Sequence, residues 1–208
     1  MNAHIQSEII LSRTAGIRPG QRMVVAVLLA VMGWFGLPVF TVTAASEVYK
    51  EYEVKAVFLF NFAQFVEWPQ EAFPEAATPL CIGVLGDDAF TGILEGMVKG
   101  ERVKGRALVI KRLRDMADVT TCHVLFVSRS EESRLSKIFS LLNNAGVLTV
   151  GECKDFAARE GVINFFLHEN KIRFEINPEA ARRKGLKISS QLLSLARIIE
   201  TDPTKERR

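Results

Sequence analysis

A long apolar stretch, residues 55–69, constrains the fold more than any other part of the sequence. It contains no glycine and only a terminal proline, so it predicts a helix over about residues 47–68. Its polar side chains, Asn61, Gln64 and Glu67, recur every three residues and form one narrow stripe. Since a surface helix has an apolar face only about 100° wide, we expect this helix to be covered on two sides. One cover is a sheet of its own domain. The other is a further element, a second copy of the chain or a different protein; burial in a large core is the alternative.

The first 45 residues have the composition of a secretory leader. Residues 23–46 contain no charged side chain, arginines precede them, and small residues occupy positions 43–45. This pattern predicts a signal peptide over residues 1–45, cleaved near Ala44–Ala45, and therefore an exported, periplasmic body. The same 24 uncharged residues are long enough for an uncleaved membrane anchor, which is the alternative.

The remaining residues suit one domain, residues 46–200, with a polar tail over residues 201–208. The leader holds three of the 27 basic residues and one of the 24 acidic ones, which leaves 24 basic against 23 acidic residues in the rest of the chain. A net charge of +1 gives no basic face, so the sequence argues against a nucleic-acid partner.

Short apolar runs that alternate with helical patterns predict an α/β fold. The predicted strands are residues 80–86, 106–113, 122–128 and 147–150, followed by a hairpin of residues 161–167 and 171–177. The predicted helices between and after them are residues 87–97, 131–143, a short helix that Asn177 caps, and a final helix from about 189 to 200. We expect three layers: flanking helices around a mainly parallel sheet with an antiparallel edge hairpin.

The sequence offers little support for catalysis, a cofactor or a metal. Beyond the leader the histidines are His123 and His168, and neither stands near a nucleophile motif. There is no glycine-rich phosphate loop, and the three cysteines match no zinc spacing. We therefore predict no catalytic residues, no metal ligands and no cofactor, with an unrecognised hydrolase as the weakest of the alternatives.

The cysteines suggest one disulfide. Cys81 and Cys122 each begin an apolar strand, and the starts of neighbouring parallel strands lie at the same sheet edge. We predict a bond between them, with two buried free thiols as the alternative. Cys153 lies in a polar stretch, so we expect it to be accessible.

Several motifs along the chain resemble those of the YfiR/HmsC-like family. They run in order through residues 52–69, 83–88, 122–126, 147–150, 174–177 and 185–196, including Phe-Val-Glu-Trp-Pro, Phe-Glu-Ile-Asn and Gly-Leu-Lys-Ile-Ser-Ser. The resemblance implies an exported α/β protein that works in the periplasm. The member that gives the family its name is a periplasmic repressor of a membrane-bound diguanylate cyclase.

The resemblance therefore implies a partner, an inner-membrane diguanylate cyclase or a similar sensor protein. It implies a homodimer, lowered cyclic-di-GMP signalling and biofilm formation, and a disulfide of the Cys81–Cys122 kind. The sequence departs from part of the family at Cys153, which has no second cysteine nearby, so a further redox-sensitive bridge is not available. The alternative to a cyclase regulator is a periplasmic small-molecule-binding module with a cleft at the carboxyl ends of the strands, near Gly86 and Ser128.

The surface that binds a partner or a second copy is the last prediction. Interfaces place aromatic anchors inside a polar rim. We predict Phe62, Phe65 and Trp68 as anchors, with Glu175, on the wet face of an edge strand, and Lys187 as rim charges. The alternative is that the three aromatic side chains belong to the core.

Overall fold

The computed structural model describes residues 43–86, 88–143 and 145–200. The described residues from Ala44 onward belong to one compact unit. The predicted leader and tail lie outside these ranges, except that residues 43–45 form the first turn of the first helix. Signal-peptide cleavage therefore stays a prediction. No helix in the described ranges is both long enough and apolar enough to cross a membrane.

The helices and strands are named in chain order. They are α1 (Thr43–Phe65), β1 (Val66–Glu67), β2 (Leu80–Leu85), α2 (Asp88–Met97), β3 (Arg102–Val103), β4 (Arg106–Leu113), β5 (Val124–Val127), α3 (Leu135–Leu141), β6 (Leu148–Gly151), β7 (Ile163–His168), β8 (Lys171–Ile176), α4 (Pro178–Arg183), β9 (Lys187–Ile188), α5 (Ser190–Ser194) and β10 (Arg197–Ile198). Short 3₁₀ turns lie at Gln70–Ala72, Met116–Thr121, Arg129–Arg134 and Ala157–Arg159.

Eight of these strands form one mixed sheet in the order β10-β8-β7-β6-β5-β2-β4-β3. The pairs from β4 through β2, β5 and β6 to β7 are parallel, whereas β7 and β8 form the antiparallel hairpin. Every residue of β2, β5 and β6 is buried, as expected for central parallel strands that are covered on both faces. The predicted three-layer α/β fold is confirmed.

Successive residues of each central strand face opposite layers. In β5, Val124 and Phe126 join a core cluster that contains the buried side of α1. Leu125 and Val127 join a second cluster that contains α3 and Phe156. This alternation follows from the two-residue period of a strand. The sheet therefore separates an α1–α2 layer from an α3 layer.

Helix α1 packs within the chain along one stripe. Its buried residues recur at helical spacing: Lys55, Ala56, Leu59, Phe62 and Ala63. On another side of the helix, Val54 and Val57 remain 43% and 46% exposed. Two sides of α1 were expected to be buried, and other parts of the same chain bury one of them.

The end of the chain differs from the sequence prediction. Instead of one helix over residues 189–200, α5 has five residues and β10 follows it, parallel to β8. The N–H of Ile199 donates to the carbonyl oxygen of Ile176 at 2.8 Å. The prediction of a single long helix was wrong. Without β10, the backbone N–H and C=O groups at the edge of β8 would be unpaired, and the hydrogen bonds that β10 forms with them outweigh local helix propensity.

Candidate functional site

The two cysteines predicted to pair lie side by side. The N–H of His123 donates to the carbonyl oxygen of Cys81 at 2.9 Å, which brings the starts of β2 and β5 together. The Sγ atoms of Cys81 and Cys122 are 3.3 Å apart, and both cysteines are buried free thiols. A covalent bond would be about 2.05 Å long. The structure therefore shows a contact between thiols, and the disulfide stays a prediction.

The contact between the thiols changes their acidity. The Cys81 S–H donates a hydrogen bond that stabilises the Cys122 thiolate, and this lowers the pKa of Cys122 to about 7. The same hydrogen bond, together with burial, raises the pKa of Cys81. Since the thiolate is the reactive form of cysteine, we expect Cys122 to be the more reactive member of the pair.

Next to the thiols, His123 has a structural role. Its Nδ1 accepts the N–H of Cys81 at 3.1 Å, and its Nε2–H donates to the carbonyl oxygen of Ala72 at 2.9 Å. The ring stacks on Phe73 with 4.4 Å between centroids. Burial lowers the pKa of His123. The neutral imidazole thus holds the loop after β1 against the strand starts, and both of its nitrogens are already used.

Three of the five predicted interface residues lie around one two-stranded ribbon. Strand β1 pairs with β9, so that Glu67 is opposite Lys187, and both side chains are exposed. The Nε1–H of Trp68 donates to the carbonyl oxygen of His123 at 3.1 Å. Phe65 is partly buried, and its carbonyl oxygen accepts the N–H of Ser189 at 3.0 Å. We call Phe65, Glu67, Trp68 and Lys187 the ribbon surface.

The other two predicted interface residues are buried. Phe62 is fully buried and packs against Phe165 and Phe174, with ring centroids 5.7 and 5.0 Å away. Glu175 was expected to lie on the solvent-exposed face of its strand. This expectation was wrong, because Glu175 is only 4% exposed. Strand β10 covers it, and Arg197 donates Nε–H to its Oε2 at 3.0 Å. In this conformation neither residue is available at the surface, and a role for them in assembly stays a prediction.

A cavity of about 630 Å³ opens near the carboxyl end of β6. On one side, the buried ammonium of Lys55 lies 2.5 Å from a carboxylate oxygen of Glu51 and 2.5 Å from one of Glu152. The Glu152 side chain also accepts the N–H of Arg129 at 3.1 Å. The buried lysine of α1 thus pairs with Glu51 on its own helix and is tied to the loop after β6 by its ion pair with Glu152.

On the other side of this cavity, Asn164 has a polar atom that no described residue pairs with. The Asn164 Nδ2–H donates to Glu175 at 3.1 Å, whereas Asn164 Oδ1 is buried and accepts no hydrogen bond from the described residues. Exchanging the amide oxygen and nitrogen would place two oxygens together, so Glu175 fixes the orientation of Asn164. Asn164 lines the cavity, and its Oδ1 is an acceptor buried within the cavity wall.

The cleft expected near Gly86 and Ser128 is closed. A Cβ at Gly86 would lie within 2.7 Å of the Ser128 and Ser130 hydroxyl oxygens. Ser130 Oγ also donates to the carbonyl oxygen of Gly86 at 2.9 Å. The cavity of about 630 Å³ opens instead beside β6, the strand next to β5. No group of three or more His, Cys, Asp or Glu residues in the described ranges is arranged to hold a metal ion.

Comparison with known families agrees with the motifs. The model of the YfiR/HmsC-like family matches residues 52–197. This range includes all of β1 to β9 and the first residue of β10. The chain belongs to the YfiR/HmsC-like family. Membership indicates a periplasmic regulator, in a family whose members are regulatory and non-catalytic.

A crystal structure is among the solved structures that this YfiR-like chain matches. It is the crystal structure of a conserved domain protein from Vibrio cholerae (biovar El Tor), with 15% sequence identity and a TM-score of 0.49. The match covers 73% of this chain and 60% of that one, so the chain spans 60% of the length of the structure it matches.

The remaining cysteine of this YfiR-like chain is not at the surface. Cys153 was expected to be accessible, but it is 1% exposed and its Sγ faces the carbonyl oxygen of Ser128 at 3.7 Å. Burial, aided by the charges of Glu132 and Glu152, raises the pKa of Cys153 to about 11. The expectation was wrong because only Lys154 and Asp155, which follow Cys153 in sequence, are exposed, while the side chain of Cys153 enters the α3 layer.

Sequence reasoning missed the group formed by Lys55, Glu152, Asn164 and Arg197. One signal was available: Lys55 interrupts the apolar stripe of α1, and a lysine is rarely buried without a charged partner. The partner itself is 97 residues away in sequence and no local pattern identifies it.

Proposed function

We propose that this chain is an exported, non-enzymatic regulator that binds a membrane-bound diguanylate cyclase and restrains it, lowering cyclic-di-GMP signalling and biofilm formation. The observation that carries the proposal is the match to the YfiR/HmsC-like family over residues 52–197. The regulator acts from the periplasm, and it associates with a second copy of itself.

The ribbon surface is the region that we assign to the cyclase. Trp68 is half-buried and its indole is fixed by the hydrogen bond to His123, so it offers an aromatic anchor that loses little freedom on binding. Glu67 and Lys187 are exposed beside it. An aromatic centre with a charged rim is the usual composition of a binding hot spot.

The first experiment measures cyclic-di-GMP in cells that carry a responsive membrane cyclase, with and without this protein. Wild-type protein should lower cyclic-di-GMP and co-purify with the cyclase. If it does neither with any membrane cyclase encoded in the organism that makes it, the proposal is wrong.

The ribbon surface is tested by exchanging its two charges. The double variant Glu67→Lys with Lys187→Glu keeps opposite charges across the β1–β9 pair, so the fold should retain its stability. A partner would meet the inverted pattern, and binding should weaken by about tenfold or more. Lys137→Glu, an exposed lysine on α3, is the matched control and should leave cyclase binding unchanged. Equal behaviour of the double variant and the control would place the interface elsewhere.

A specific observation favours a second candidate, a small-molecule-binding module. The buried Asn164 Oδ1 accepts no hydrogen bond from the part of the chain that the structure describes, and such an acceptor costs about 1–3 kcal/mol when it is left unsatisfied. A ligand with an N–H or O–H donor would remove this cost. A search for metabolites that raise the melting temperature distinguishes the two candidates, since a pure protein-binding regulator gives no such shift. Asn164→Leu should abolish any shift that arises in this cavity.

A further inference from the structure

A second cavity, of about 490 Å³, lies between α3, the 3₁₀ turn Ala157–Arg159 and α4. It is separate from the ribbon surface and from the cavity beside β6. Its lining residues are Ser136, Phe139, Ser140, Asn143, Arg159, Glu160, Ala180, Arg183 and Lys184. Phe139 and Ala180 are buried and form an apolar floor. The polar and charged side chains surround that floor.

The charges around this cavity are unbalanced. Arg159, Arg183 and Lys184 are basic, and Glu160 is the single acid among the lining residues. Within the described ranges Arg159 has no acidic partner, and Arg183 lies 3.9 Å from the half-exposed Glu179. The cavity therefore carries an excess of two positive charges.

Lys184 is a second basic group whose hydrogen-bond donors are not all used by the described residues. It is largely buried, and its ammonium donates to the carbonyl oxygen of Leu142 at 3.1 Å, which uses one of three N–H donors. Burial lowers the pKa of Lys184, and the neighbouring charge of Arg183 lowers it further, against an opposing effect of Glu160. An anion in the cavity would stabilise the charged form of this lysine.

The neutral donors lie on the opposite wall. Ser136 and Ser140 are four residues apart along α3, so their hydroxyl groups project from the same face of the helix. Asn143 follows on the next turn and also lines the cavity. Together with the guanidinium groups these side chains offer more donors than the two oxygens of a carboxylate can accept.

We propose that this cavity binds a phosphate group, with Arg159 and Arg183 as its charged ligands and Ser136, Ser140 and Asn143 as neutral donors. Guanidinium groups match phosphate oxygens in two-point hydrogen bonds, and a phosphate has enough acceptors for both walls. The group belongs either to a soluble phosphate ester or to the headgroup of an anionic phospholipid. The inference does not depend on the binding of a cyclase.

Two measurements on the exported body distinguish the sources. Calorimetric titration with inorganic phosphate and glycerol 3-phosphate tests a soluble ligand. Co-sedimentation with phosphatidylcholine vesicles, with and without phosphatidylglycerol, tests a lipid headgroup. Binding in either arm that weakens with added salt supports the phosphate site.

The variant Arg159→Gln with Arg183→Gln removes the proposed charged ligands. Both side chains are exposed or half-exposed, so we expect the melting temperature to be retained. Affinity in the positive arm should fall by about tenfold or more, as for the loss of hydrogen bonds to a charged group. Arg159→Lys with Arg183→Lys should recover part of the loss.

Arg182→Gln is the matched control. Arg182 lies on the same helix as Arg183, but its guanidinium binds Glu179 at 2.8 and 2.9 Å and does not line the cavity. This variant should bind phosphate like the wild type. An equal loss in Arg182→Gln would show non-specific attraction to a basic surface, and it would overturn the proposal. Absence of binding by wild-type protein in both arms would overturn it as well.

Discussion

The two ends of the parallel strands differ in how their polar groups are satisfied. At the amino end, His123 uses both ring nitrogens, Trp68 uses its indole N–H, and the thiols of Cys81 and Cys122 face each other. At the carboxyl end, near Gly151, buried charges pair across long sequence separations, and one amide oxygen accepts nothing from the described residues.

This difference indicates that the amino end of the strands has a structural role, whereas the carboxyl end can respond to a ligand or to a structural change. At the amino end, the neutral imidazole of His123 and the indole N–H of Trp68 have complete hydrogen bonds and hold the loop after β1 against the strand starts. Buried ion pairs and an open acceptor are costly in a protein interior, and a ligand or a structural change can alter them. The three predictions that follow test this division, beginning with the largest expected effect.

The first prediction concerns the buried lysine at the carboxyl end. Lys55→Met should destabilise the protein by about 3–5 kcal/mol, because Glu152 would then be left nearly buried and without its ion-pair partner. Lys50→Met, at an exposed position of the same helix, should change the stability by less than about 0.5 kcal/mol. Denaturant unfolding measures both. Equal small effects would mean that the carboxyl end is no more sensitive than the surface.

The second prediction concerns the thiols at the amino end. Oxidation should join Cys81 and Cys122, which are 41 residues apart, and should stabilise the protein by up to about 4 kcal/mol in the chain-entropy treatment. Peptide mapping under non-reducing conditions identifies the bond, and unfolding with and without reductant gives its effect.

Alkylation of the reduced protein provides a control for the thiol assignment. Because the pKa of Cys122 is lowered to about 7 while that of Cys153 is raised to about 11, Cys122 should react faster near neutral pH. Faster reaction of Cys153 would contradict the buried position that the structure gives it.

The third and smallest effect is a pH dependence that comes from His123. Burial holds its pKa in the folded protein below the ordinary value of about 6.5. As the pH falls below about 6.5, the unfolded chain therefore binds a proton that the folded protein does not, and the free energy of unfolding decreases by at most about 1.4 kcal/mol per pH unit. In His123→Gln this part of the slope should disappear. An unchanged slope would assign the dependence to other groups.

Much of the architecture was predictable because it depends on local patterns. The four parallel strands and the hairpin follow apolar runs that are bounded by turn residues, and β4 begins and ends where the sequence predicts. Asn177 was predicted to cap a short helix, and its side chain accepts the N–H of Ala180 at 2.9 Å. The adjacency of Cys81 and Cys122 also followed, because equivalent positions on neighbouring parallel strands meet at one edge.

The sequence by itself thus determined the four parallel strands, the hairpin and the family to which the chain belongs. Only the tertiary structure decided that β10 forms and pairs with β8, that Glu175 and Cys153 are buried, and that Lys55 meets Glu152. These outcomes depend on backbone edges and charges that lie far apart in sequence. A free strand edge or a buried charge has a large cost when it is unpaired, so its partner is selected by proximity in the folded chain and not by any local pattern.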